Sequence, residues 1–151
     1  MPLFADLAIS SADIQNLERI PENFSADGGN DTPAVAFAGA PDGTVELALI
    51  VHDPDAPLPN GFTHWVVYGI APDATTLDLE ADGVRVGPNT LGEQSWFGPQ
   101  PPAGHGEHHY YFWVFALTTT VEGEPSREGF LTTYAGNIAE QARFVGTFSR
   151  P

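Results

Sequence analysis

Three long apolar runs set the pattern of the chain. Residues 45–51 are apolar except for Glu46, and residues 63–70 are rich in β-branched and aromatic side chains. A run without polar alternation suits a strand covered on both faces. The third run, 109–118, is the most aromatic stretch in the sequence. As a strand it would place Tyr111, Trp113, Phe115 and Leu117 on one face and His108, Tyr110, Phe112, Val114 and Ala116 on the other. Both faces are apolar, so this strand is expected in the middle of the fold. Shorter strands are predicted near 6–10, 34–37 and 144–148. Between the long runs, Pro54, Pro57, Pro59 and Asn60-Gly61 exclude regular structure, and so do Gly98-Pro99-Gln100-Pro101-Pro102-Ala103-Gly104.

One helix is predicted. Leu131, Tyr134, Ala135, Ile138, Ala139 and Ala142 follow the spacing of a single apolar stripe. Thr132 would cap it, Arg143 would favour its C-terminal end and Gly146 would stop it. Gly136 inside it would cost about 1 kcal/mol relative to alanine. Many short strands and one late helix predict a mainly β fold, a sandwich with a helical appendage.

Length and composition narrow the picture. At 151 residues the chain is expected to form one domain, 1–151. It has no cysteine, which excludes disulfides and thiolate chemistry. Twenty acids against five bases, all arginine, give a formal net charge of −15. Such a surface disfavours nucleic acid and anionic membranes as partners. A lysine-free acidic composition looks like that of halophilic proteins, whose self-repulsion is screened by molar salt. The N-terminus shows neither a basic n-region nor a long apolar h-region, so no signal peptide is read and a cytoplasmic location is expected.

Candidate chemistry gathers at the edges of the runs. Asp53 and Asp55 follow the first, separated by Pro54, and His64 opens the second. The third is entered through His105-Gly106-Glu107-His108-His109-Tyr110. A carboxylate pair can serve acid–base catalysis, as in a glycosidase. Histidines with an aspartate can ligate zinc, copper or iron, here His105, His108 and His109 with Asp53. No His-Glu-x-x-His helix is present, and Ser95 lacks a nucleophile-elbow context.

Asp53-Pro54-Asp55-Ala56-Pro57, His64-Trp65-Val66-Val67-Tyr68, the Gly98–Gly104 loop and His108-His109-Tyr110 together resemble the signature of the phosphatidylethanolamine-binding protein (PEBP) family. The bacterial and archaeal branch, the Raf kinase inhibitor-like proteins, is the nearer match. Asn30-Asp31-Thr32-Pro33 and Val145-Gly146-Thr147-Phe148 extend the resemblance over nearly the whole chain. It implies a Greek-key sandwich of antiparallel sheets with a C-terminal helix. It also implies an anion pocket lined by Asp53, Asp55, His64, His108 and Tyr110, with Gly98, Gln100 and Pro101 in one wall. Two positions depart from the family pattern: His109 stands where arginine is usual, and Gln100 where glycine or cysteine is common.

In such a pocket the imidazole N–H groups of His64 and His108, the Tyr110 hydroxyl and the free N–H groups near Gly98 and Gln100 would donate to the anion. Asp53 would orient an imidazole, and Asp55 would accept from a ligand hydroxyl or amine. The resulting expectation is a non-enzymatic binding and regulatory protein without cofactor or metal. Its partner would be a small anionic or phosphorylated ligand, extending to a phosphorylated protein segment, and some relatives inhibit kinases or proteases. The alternative is a metal-dependent or hydrolytic enzyme using the His/Asp cluster. A lipid carrier is a third class, but a proline-walled pocket suits a head group better than acyl chains.

Overall fold

The computed structural model describes residues 6–151. Its strands are β1 (Ala8–Ser10), β2 (Ala36–Ala38), β3 (Glu46–Asp53), β4 (Phe62–Ile70), β5 (Arg85–Val86), β6 (His108–Leu117) and β7 (Ile138–Phe148), and its α-helix is α1 (Arg127–Tyr134). Five strands form one antiparallel sheet in the order β5-β4-β3-β6-β7, and β1 pairs with β2 in a second. From β3 to β5 the chain meanders. It then returns through the long connection 87–107 to lay β6 beside β3, which is the Greek-key order.

The continuous apolar runs follow from two cores, one on each face of the large sheet. Leu47, Leu49 and Val51 of β3 pack with Trp65, Val67, Phe112 and Phe144 beneath Leu7, Ile9 and Phe37. Ala48 and Ile50 point the other way and pack with Val66, Tyr68, Phe115 and Leu117 around Phe130 of α1. All eight residues of β3 are buried, so the strand has no polar face to alternate with. On β6 the outer face is covered only at one end: Phe115 and Leu117 are buried, whereas Tyr111 and Trp113 are half-buried and lie beneath the Arg143 guanidinium at 5.1 Å.

The predicted helix is corrected. α1 starts earlier, where Ser126 and not Thr132 accepts from Gly129 N–H, and it ends at Tyr134. After a 3₁₀ turn at Ala135–Asn137 the chain enters β7, which pairs along the length of β6. Ile138, Ala142 and Arg143 therefore belong to a strand, and Gly146 lies within it opposite Tyr110. The open edge of β6 decided the outcome. A ladder along β6 satisfies more backbone groups than two further helical turns through Gly136 would.

Candidate functional site

Antiparallel pairing brings the end of β3 and the starts of β4 and β6 to one edge of the sheet. Asp53 pairs with Phe62, and His52 with Tyr111. A register shift on β4 then redirects one residue: Val51 pairs with Trp65 but His52 pairs with Thr63, leaving His64 as the extra residue of a bulge. Strict alternation would turn His64 away from Trp65. Both rings instead lie beside Trp96, at 6.5 and 5.4 Å between centroids.

The result is a cavity of about 240 Å³ lined by Asp53, Ala56, Pro57, Leu58, Phe62, His64, Phe97, Gln100, Pro101, Pro102, His108 and Tyr110. Of the sequence-predicted site residues, Asp53, His64, Gln100, Pro101, His108 and Tyr110 are brought together there. Asp55 and Gly98 are not among the lining residues.

At the base lies a buried pair. His108 donates from Nδ1 to Asp53 Oδ2 at 2.7 Å, with both side chains about 2–3% exposed. The other carboxylate oxygen accepts from Asp55 N–H at 2.7 Å, closing the turn after β3. Burial pushes the Asp53 pKa up, while the His108 hydrogen bond pulls against it. His108 Nε2 meets Nδ1 of His105 at 2.6 Å. His105 reaches that position from an exposed turn between Gly104 and Gly106, both at positive φ, a backbone that glycine adopts without strain. It occupies the outward face of His108 that a ligand would need.

His64 differs from the expectation. Its Nδ1 lies 2.5 Å from the Phe97 carbonyl oxygen, which can only accept, so Nδ1 carries the hydrogen. Burial lowers its pKa to about 4, against the opposing pull of that carbonyl. The ring is therefore neutral at ordinary pH, and Nε2 presents a lone pair. An imidazole expected to donate to an anion is an acceptor. Burial also holds the Tyr110 phenol well above its usual pKa, so its O–H remains a donor.

Two further residues of the expected site are engaged within the protein. Asp55 Oδ2 accepts from both the N–H and Nδ1 of His109, each at 2.8 Å. The carboxylate is thus engaged at the rim and anchors the start of β6. Burial would raise its pKa, but these His109 bonds outweigh that and lower it. The N–H of Gly98 donates to Asn30 Oδ1 at 2.6 Å and is spent within the protein. The loop passes so close to Phe24 that a Cβ on Gly98 would lie 1.9 Å from the Phe24 carbonyl oxygen, which requires glycine there.

The proline wall is held from outside. Gln100 directs its amide to Asp27 at 2.9 Å and so does not cap the cavity. Arg150 binds the Pro101 carbonyl at 2.8 Å and Asp27 at 2.5 Å. Sequence reasoning did not assign roles to the aromatic wall of Phe62 and Phe97 or to the Asn30 clamp. Asn30 has φ 54°, and its amide also donates to Trp96 O at 3.2 Å. The Asn-Asp-Thr-Pro motif carried that signal.

For a metal centre, His105, His108, His109 and Asp53 would have to converge. His109 turns instead to Asp55. Among the described residues no group of three or more His, Asp or Glu side chains is placed to hold a metal ion.

Comparison with known proteins agrees with this architecture. The family model described as phosphatidylethanolamine-binding protein matches residues 10–149. A protein of Aquifex aeolicus designated UPF0098 is 37% identical over 155 residues, covering 97% of this chain and 90% of the relative. LppC of Mycobacterium tuberculosis, whose name marks it as a candidate lipoprotein, is 41% identical over 154 residues, covering 97% of this chain and 74% of the relative. No helix among the described residues is long and apolar enough to cross a membrane. A lipoprotein name among the relatives stands against a cytoplasmic location for the family as a whole. The crystal structure of Escherichia coli YbcL, described as a member of the mammalian PEBP family, superposes with a TM-score of 0.90 at 29% identity, covering 97% of this chain and all of YbcL. The chain belongs to the phosphatidylethanolamine-binding protein family, in its bacterial and archaeal branch.

Proposed function

We propose that this protein acts by binding, and that its cavity receives the phosphate group of a compact phosphorylated ligand. The observation that carries this reading is the buried Asp53–His108 pair at the base of the cavity. A carboxylate on Nδ1 fixes the imidazole orientation and turns Nε2 outward, toward a ligand. Tyr110 adds an O–H beside it. About 240 Å³ lies below the range of roughly 300–1,000 Å³ typical of sites for drug-sized molecules, so a head group fits and acyl chains do not. The walls are aromatic and proline-rich, which excludes water and strengthens each polar contact.

A ligand reaching His108 Nε2 has to displace His105. Binding would therefore reorganise the glycine-flanked turn at 104–106, and this gives the site a means of signalling occupancy to a partner protein. The phosphate group of a modified protein segment has the same chemistry as a free phosphomonoester and is a second occupant of the same kind.

Titration calorimetry with inorganic phosphate and phosphorylethanolamine at pH 6 in molar KCl tests this reading. Saturable binding at one site is expected, weakened several-fold in Tyr110→Phe. Absence of binding at millimolar ligand, or equal affinity in Tyr110→Phe, would refute it.

A further inference from the structure

The polar groups of the cavity do not suit a fully ionised oxyanion. Two of them accept: the Asp53 carboxylate and Nε2 of His64. Against these stand the Tyr110 hydroxyl, which donates, and Nε2 of His108, which faces His105 Nδ1 at 2.6 Å. Nε2 of His64 is left with its lone pair, because the neutral ring spends its N–H on the Phe97 carbonyl at 2.5 Å. The ring is 4% exposed and held between Phe62 at 4.6 Å and Tyr110 at 5.1 Å, an enclosure that opposes turning it over or charging it.

We infer that His64 is a specificity residue that selects oxyanions bearing a hydrogen of their own and rejects those that have none. This inference rests on the cavity being an oxyanion site, as proposed above. Hydrogen phosphate and dihydrogen phosphate each retain a P–O–H, which donates to His64 Nε2 while an ionised oxygen takes the Tyr110 hydrogen. Sulfate has the same shape and no hydrogen at neutral pH. It would set an oxygen lone pair against that of His64 and leave a buried acceptor unsatisfied. A phosphomonoester satisfies the same rule only as its monoanion, since its second ionisation lies near 6.

The experiment is competitive calorimetry of the wild-type protein with phosphate and with sulfate, at pH 7 and constant ionic strength. Phosphate is expected to bind at least about tenfold more tightly, since one unmet buried polar group is worth that factor or more. Dimethyl phosphate, an anion without a P–O–H, should be rejected with sulfate, and this arm does not depend on any variant. In His64→Gln, checked for folding by circular dichroism, the carboxamide can turn its NH₂ to the ligand, and the phosphate-to-sulfate ratio should collapse toward one. Equal affinity for phosphate and sulfate in the wild type overturns the inference and leaves the oxyanion reading standing. So does an unchanged ratio in a folded His64→Gln. If phosphate itself does not bind, the oxyanion reading fails and the inference with it.

Discussion

Acidification from pH 7 to pH 5 should destabilise this protein through two buried histidines. Burial holds both His52 and His64 at a pKa of about 4, against 6.5 in an unfolded chain. His52 directly follows the first apolar run, and the structure buries it, with Nδ1 3.0 Å from Thr63 Oγ1. Between pH 6.5 and 4 the unfolded chain binds these protons and the native protein does not, so stability rises with pH across that window and is lost as pH falls. At pH 5 each histidine weakens the fold by roughly 2 kcal/mol relative to pH 7, roughly 4 kcal/mol for the pair. Asp53 acts in the opposite sense, because its raised pKa lets the native state take up a proton first, so the sum is a ceiling. Against a typical total of about 5–15 kcal/mol the effect is large.

Urea denaturation in molar KCl at pH 7, 6 and 5 measures it. The midpoint should fall steadily, and a double variant His52→Gln/His64→Gln should lose most of the pH dependence. A wild-type midpoint independent of pH would refute this reasoning. So would a double variant that retains the full slope.

Other perturbations separate the parts of the molecule. His105→Ala should raise phosphate affinity roughly two- to tenfold by removing a competitor worth one net hydrogen bond, and a weaker affinity by calorimetry would make His105 a ligand group instead. Phe130→Ala should destabilise by about 3–5 kcal/mol, because this fully buried ring is the centre on which Tyr68 and Phe115 pack; thermal unfolding reads the loss. Asp55→Ala should cost less than about 1 kcal/mol, since the His109 pair is over 40% exposed, and it should leave phosphate affinity within a factor of two. With a net charge of −15, the unfolding midpoint should drop when molar KCl is replaced by dilute buffer; an unchanged midpoint would remove the halophilic reading of the composition.

The long strands were legible because burial on both faces writes itself directly into composition. Residues 45–51 and 63–70 suit central strands, and the structure runs them as Glu46–Asp53 and Phe62–Ile70. The helix was misread for a related reason. Ile138 and Ala142 fit a helical stripe, but with Glu140 between them they also fit a period of two, which is the pattern β7 follows. Periodicity from sparse alanines cannot choose between these, whereas the unpaired edge of β6 can. That edge is a tertiary fact.

The site shows the same division between residue identity and role. Which side chains gather at the end of β3 was readable from the motifs, yet their hydrogen-bonding sense was not. An imidazole donates or accepts according to what its other nitrogen meets, and for His64 that is the Phe97 carbonyl, 33 positions away. The bulge that turns His64 into the cavity lies in the pairing of two strands and has no signature along one of them. Asp55 illustrates the converse. The departure at His109 was visible in the sequence, but its consequence, a carboxylate tied to the rim and withdrawn from the cavity, required the two loops to be seen together. Sequence thus located the pocket, while the balance of donors and acceptors that decides its ligand is set by contacts between distant segments.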